Sequence, residues 1–225
     1  MSASLLDSDL HAKMRRGAEA QLPIVKVLYH GYCFDGFSSA AIFTRFFREC
    51  INSSAHFIYE GMRHGAPTPI DPSRFDGNVN ALVDFRYSPD NHLDWWFDHH
   101  KSAFITPEER SHFEQAQNPQ HYWDPTAPSC CGYIARVLGE EYGFNLAKMD
   151  ELIEWADEID SAQFADARTA VELEAPALQL MTVAQFVGDG PLANQIIDGL
   201  SGGMVNETAA IEEVQSQFAP IKARL

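Results

Sequence analysis

Asp98-His99-His100 sets one carboxylate and two imidazoles, all groups able to ligate a metal, directly after the apolar run Trp95-Trp96-Phe97. Two further runs end in the same manner. Val25-Lys26-Val27-Leu28-Tyr29 leads into His30 and the turn Gly31-Tyr32-Cys33-Phe34-Asp35-Gly36, and Ala81-Leu82-Val83 leads into Asp84. With nine histidines in 225 residues, an adjacent pair is uninformative by itself. Three strand-like runs that each end in a ligand group carry more weight, because ligands of an open α/β sheet bind beyond the carboxyl ends of its strands. Several carboxylates combined with a few neutral imidazoles suit a site for two divalent cations. Such a pair can clamp the attacking and leaving oxygens of a phosphoryl displacement and activate a water near neutral pH. Mixed oxygen and imidazole donors favour manganese over magnesium or zinc.

The elements that must position these groups follow from the apolar pattern. A strand from Pro23 to about His30 precedes a glycine turn and an amphipathic helix from Phe37 to Glu49, whose Ala40, Ile42, Phe43, Phe46 and Phe47 recur at helical spacing. Further strands are predicted at Ala55 to Tyr59, Asn78 to Asp84 and Leu93 to Phe97, with a short one at His121 to Trp123. Residues 61–77 read as a proline-punctuated loop. After Asp124-Pro125-Thr126-Ala127-Pro128 the chain turns helical. Ser129 is a natural N-cap for a helix to about Leu138 that Gly139 can end, and Asn145 for a second one reaching Ile159. Two or three more helices are broken at Gly188-Asp189-Gly190-Pro191 and Ser201-Gly202-Gly203. The expected fold is α/β: a parallel sheet with helices on both faces over residues 23–165, after a lead-in of residues 1–22 and before a helical appendage or linker over 166–225.

Composition narrows the class. A hydrophobic content of 45% over 225 residues supports a sizeable core. The four cysteines, Cys33, Cys50, Cys130 and Cys131, form neither a disulfide framework nor a CxxC zinc site. The polar opening lacks the apolar stretch of a signal peptide, and no run is long enough for a membrane span, which points to a cytoplasmic location. A formal net charge of −16 argues against an extended duplex as partner. It leaves room for a small phosphorylated substrate, since bound cations invert the local field.

In order along the chain, His30 to Ala40 (HGYCFDGFSSA), Asp84 in LVDF, Asp98 to Lys101 (DHHK) and Trp155 to Asp160 (WADEID) resemble the four motifs of the DHH phosphoesterase superfamily. That family contains single-strand exonucleases, oligoribonucleases, exopolyphosphatases and manganese-dependent pyrophosphatases. The resemblance implies an enzyme, a manganese-dependent phosphohydrolase acting on a phosphodiester or phosphoanhydride bond of a short oligonucleotide or nucleotide, with a homodimer left open. It implies that Asp84 bridges two ions, that His99 ligates one of them with Asp35 and Asp157, and that His30 holds the other. Asp98 would orient an imidazole, and His100 would face the substrate phosphate, helped by Lys101, by Arg63 or Arg86, and by the helix start around Ser38. Asp160, three residues after Asp157, shares its helix face and is the alternative ligand.

Cys33 departs from the common first motif, which has an aspartate at this position, and matches an HGxCxDG variant. It serves either as a soft thiolate ligand or as a small buried apolar residue. The competing functional reading is therefore a non-catalytic metal- or nucleotide-binding module that has lost one ion at Cys33. The family's glycine-rich C-terminal motif is also reduced, to Ser201-Gly202-Gly203-Met204. P-loop, dinucleotide-binding, GxSxG and HxHxDH patterns are missing.

Overall fold

A computed structural model describes residues 22–65 and 69–224. All but the last residue of the expected lead-in, 1–22, lies outside them. Five strands form one parallel sheet: β1 (Ile24–His30), β2 (His56–Met62), β3 (Val79–Val83), β4 (Trp95–Asp98) and β5 (His121–Trp123), in the order β2-β1-β3-β4-β5. The interior strands are mainly apolar because both of their faces are covered, interrupted by Lys26 in β1 and Asn80 in β3. Val27, Ala81 and Trp95 sit in register on one face; Leu28, Leu82 and Trp96 sit on the other.

The first face carries most of the helices. Packed there are α1 (Phe34–Phe46), α3 (Cys130–Tyr142), α4 (Asp150–Asp160), α6 (Pro176–Val187) and α7 (Pro191–Ser201). Among the described residues one α-helix, α2 (Pro107–Ala116), serves the second face, where Phe113 meets Trp96 with ring centroids 5.3 Å apart. The short helices α5 (Ala167–Glu172) and α8 (Val205–Ala209) and the final α9 (Glu212–Lys222) complete the chain.

Local corrections have local causes. Helix α1 starts at Phe34, three residues before the expected Phe37, because Cys33 is the last extended residue (φ −132°, ψ 137°). Ser129 caps α3 by accepting from the Gly132 amide at 2.9 Å, as its position suggests. The helix runs through Gly139 and ends at Gly143, whose φ of +68° suits a left-handed C-cap. Asn145 turns the backbone onto Ala147, and α4 begins only at Asp150.

The C-terminal helices are no appendage. Leu178, Leu180, Val183, Ile196, Ile197 and Leu200 belong to the same buried cluster as the sheet and α1. The α6–α7 turn also reaches the loop after β1. Tyr29 donates its hydroxyl to the Gly188 carbonyl at 2.9 Å, and a Cβ on Gly188 would overlap the Tyr32 ring. Gly202-Gly203 ends α7, where a side chain on Gly203 would strike the Lys148 carbonyl.

Candidate metal centre

Strand order reverses between β1 and β3, which places the crevice of a parallel sheet beyond their carboxyl ends. The last paired row there is Tyr29, Val83 and Phe97. The next residues are His30, Asp84 and Asp98. Register alone therefore delivers three of the predicted groups to one sheet edge, and His99 and His100 follow on the turn.

Asp84 adopts a left-handed backbone (φ +53°) and Tyr32, beside Cys33, another (φ +68°). Such conformations cost about 1–3 kcal/mol for most residues with a side chain and concentrate at functional sites, although aspartate tolerates them better than most. The two carboxylate oxygens of Asp84 face different imidazoles. Oδ2 lies 3.2 Å from His30 Nδ1, and Oδ1 lies 3.7 Å from His99 Nε2 and 3.6 Å from His100 Nδ1.

His99 donates Nδ1–H to the Ala127 carbonyl at 3.0 Å, the tautomer that turns the Nε2 lone pair inward. Nε2 then stands 3.3 Å from Asp160 Oδ2 and 3.5 Å from Asp35 Oδ2. His99 Nε2 and Asp84 Oδ1 are both buried without a hydrogen-bond partner among the described residues. Lone pairs facing one another at such distances repel unless a cation lies between them. Donors bound about 2.1 Å from a common divalent ion sit about 3.0–3.4 Å apart, so the 3.3 Å spacing to Asp160 fits such an ion and those of 3.5 Å to Asp35 and 3.7 Å to Asp84 lie slightly beyond it.

Asp35 is sealed from solvent, and its two oxygens accept the Cys130 and Cys131 amides at 2.7 and 2.9 Å, at the amino end of α3. Burial and the Asp160 charge raise its carboxyl to about 6, against the lowering effect of His99 and those two amides. Asp84 is pushed well above the usual range by burial and then by Asp35, Asp98 and Asp160. These shifts describe carboxylates crowded together with too little positive charge.

Asp98, also fully buried, accepts His100 Nδ1–H at 2.7 Å and the His99 amide at 2.9 Å. This bond, ahead of the opposing effect of burial, raises the affinity of His100 for a proton. Trp123 pins the same turn by donating to the His100 carbonyl at 2.9 Å.

The structure brings Asp160 to this cluster in place of Asp157. The Asp157 carboxylate accepts from Ser129 Oγ at 2.5 Å and packs where a side chain on Gly132 would otherwise stand, so the first turn of α3 intercepts it. Cys33 lies within ligand range of His30 and Asp84, with Sγ 3.9 Å from Asp160 Oδ1. Burial and the carboxylates of Asp84, Asp35 and Asp160 raise its thiol strongly. Ser38 is fully buried one turn inside α1, so it cannot offer a helix-start amide to a substrate. Lys101 is exposed on the turn beyond His100. Arg63 lies over the Tyr32 ring at 4.1 Å and, with Arg74 and Arg86, lines a cavity of about 470 Å³ floored by Met62, Ile70 and Phe85.

The residue that sequence reasoning missed is His64. It stands in the loop after β2, and one nitrogen from each of His30, His64 and His100 lies within 4.8 Å of the others. No periodicity marks it. No family model matches this chain, and no curated protein matches it either. Among the described residues no helix is long and apolar enough to cross a membrane.

Proposed function

We propose that this protein is a metal-dependent phosphohydrolase of the DHH type, cleaving a phosphodiester or phosphoanhydride bond of a small phosphorylated substrate. The observation that carries the reading is the pair of inward-facing, unpartnered atoms, Asp84 Oδ1 and His99 Nε2, in a buried carboxylate cluster. Asp35, Asp84, His99 and Asp160 would hold one cation of the manganese class, and a second would lie on the His30 side of Asp84. When bound, the cations supply an activated water and neutralise phosphoryl charge.

The chain's own residues supply the rest. Asp98 holds His100 through Nδ1 and favours its protonation, so the imidazole stands oriented where a phosphoryl oxygen would approach. Lys101 adds an exposed positive charge beside it, and Arg63 and Arg86 line the adjoining cavity for the remainder of the substrate. Asp35 keeps its place through two α3 amides, so the cluster is organised before any ligand arrives.

The test is a panel of phosphodiesters and phosphoanhydrides assayed with manganese, together with the metal content of each variant. His99→Ala, Asp84→Ala and Asp160→Asn should lose manganese binding and at least 100-fold in turnover. Asp157→Asn should retain both and lose only stability. Undiminished turnover in His99→Ala and Asp84→Ala would refute the assignment. A native protein that binds manganese and hydrolyses nothing would favour a binding module, the reading that Cys33 supports.

A further inference from the structure

The two ends of this cluster differ in donor chemistry. Around His99 the neighbours are the oxygens of Asp35, Asp84 and Asp160. Around His30 two further imidazoles gather on one side, those of His64 and His100, while Asp84 Oδ2 and the Cys33 thiol stand on the other. The His64 ring stands edge-on to His30 with centroids 4.3 Å apart and lies 5.7 Å from His100. It is held from behind by stacking on Phe85 at 4.6 Å, nearly parallel at 13°.

Two of these three imidazoles are anchored through the same atom. His30 Nδ1 is 3.2 Å from Asp84 Oδ2, and His100 Nδ1 is 2.7 Å from Asp98 Oδ1. Engagement of Nδ1 by a carboxylate fixes the ring and leaves Nε2 as the ligating atom, the arrangement by which carboxylates orient metal-bound histidines. We propose that His30, His64 and His100 form an imidazole-only position for a cation of the zinc class, distinct in selectivity from the carboxylate-rich position at His99.

The inference rests on the two-cation reading and names the ligands of the second position. Three neutral imidazoles favour zinc or cobalt, whereas the carboxylate-rich end favours manganese or magnesium. A three-histidine position leaves a coordination site open, and His64 is exposed between Arg63 and Gly65, which line the 470 Å³ cavity. Asp84 joins the two positions, with Oδ1 toward His99 and Oδ2 holding His30.

The test titrates the manganese-saturated full-length chain with zinc by calorimetry and with cobalt by its visible absorption, without substrate. The comparison variant is His64→Phe, which keeps a ring against Phe85 but has no nitrogen. Thermal melting checks that it is folded. The native protein should take up one zinc or cobalt that His64→Phe binds at least tenfold more weakly, while manganese binding, read by electron paramagnetic resonance, is the same in both. Equal zinc and cobalt uptake by the two proteins would overturn the proposal. So would a native protein that takes up neither ion. Loss of the manganese signal in the native protein would instead strike the phosphohydrolase reading, because that signal reports the position at His99.

Discussion

Asp84 concentrates the conflict between stability and function in one side chain. It holds a left-handed backbone at a strand end and buries a carboxyl among Asp35, Asp98 and Asp160. Asparagine tolerates the same backbone and removes the charge. Asp84→Asn should therefore stabilise the metal-stripped protein by about 1–2 kcal/mol, about 2–8 °C in Tm, while abolishing metal binding. The sign of its pH dependence follows from the raised carboxyls. For Asp35, with an unfolded value of 3.8 and a folded value of about 6, the stabilising contribution is complete below pH 3.8 and lost as pH rises through about 6. Asp84 is raised in the same direction, so the Tm advantage of Asp84→Asn over the metal-stripped native chain should be larger at pH 7 than at pH 5. Melting curves at the two pH values check this. A variant that melts below the stripped native protein at pH 7 would show that the Asp84 carboxyl is not under electrostatic load.

Among the elements, the α6–α7 turn supports the site without supplying a ligand. Gly188 has φ +60°, stands against the Tyr32 ring and accepts the Tyr29 hydroxyl, and a side chain on Gly61 would collide with its carbonyl. Gly188→Ala combines a left-handed backbone with an overlap on Tyr32. It should cost about 1–3 kcal/mol and displace the Tyr32-Cys33 loop. Denaturant midpoints measure the first effect, and weaker cobalt binding at the His30 end measures the second. A change of less than about 0.5 kcal/mol would mean that the turn and the loop adjust independently. Helix α2 had a readable start in Thr106-Pro107-Glu108-Glu109, with a capping hydroxyl, a first-turn proline and acidic residues, and Thr106 Oγ1 does accept the Glu109 amide at 3.2 Å. Charge composition over residues 107–116 obscures it, because the helix buries none of its residues.

For the whole molecule, the unit that folds is larger than the stretch that carries the four motifs. Side chains from α6 and α7 fill the core beside α1. Each buried leucine, isoleucine or valine there contributes about 1.5–3 kcal/mol, against a net stability of about 5–15 kcal/mol for an ordinary domain. A fragment ending at residue 165 would leave the α1 face bare. It should lack cooperative unfolding and near-ultraviolet ellipticity and should bind hydrophobic dyes. A fragment that melts cooperatively like the full chain would show that residues 166–225 are a separable appendage after all.

Strand-end chemistry was legible in the sequence because an apolar run announces its own end. His30, Asp84 and Asp98 needed only register to become neighbours. The parallel sheet was legible in the order strand, helix, strand and further strands, a pattern that needs crossovers. Three things needed the tertiary structure. Asp157 and Asp160 share a helix face at a spacing of three residues, so only the packing of α3 against α4 decides that Ser129 takes the first and His99 meets the second. The C-terminal helices read as separate because their apolar stripes do not state which surface they cover. His64 lies in a loop without periodicity, and it joins His30 and His100 because the end of β2 returns the chain to the same edge of the sheet. Local pattern determines which residues are apolar, capped or free to turn; proximity between distant residues exists only once the sheet has closed its crossovers.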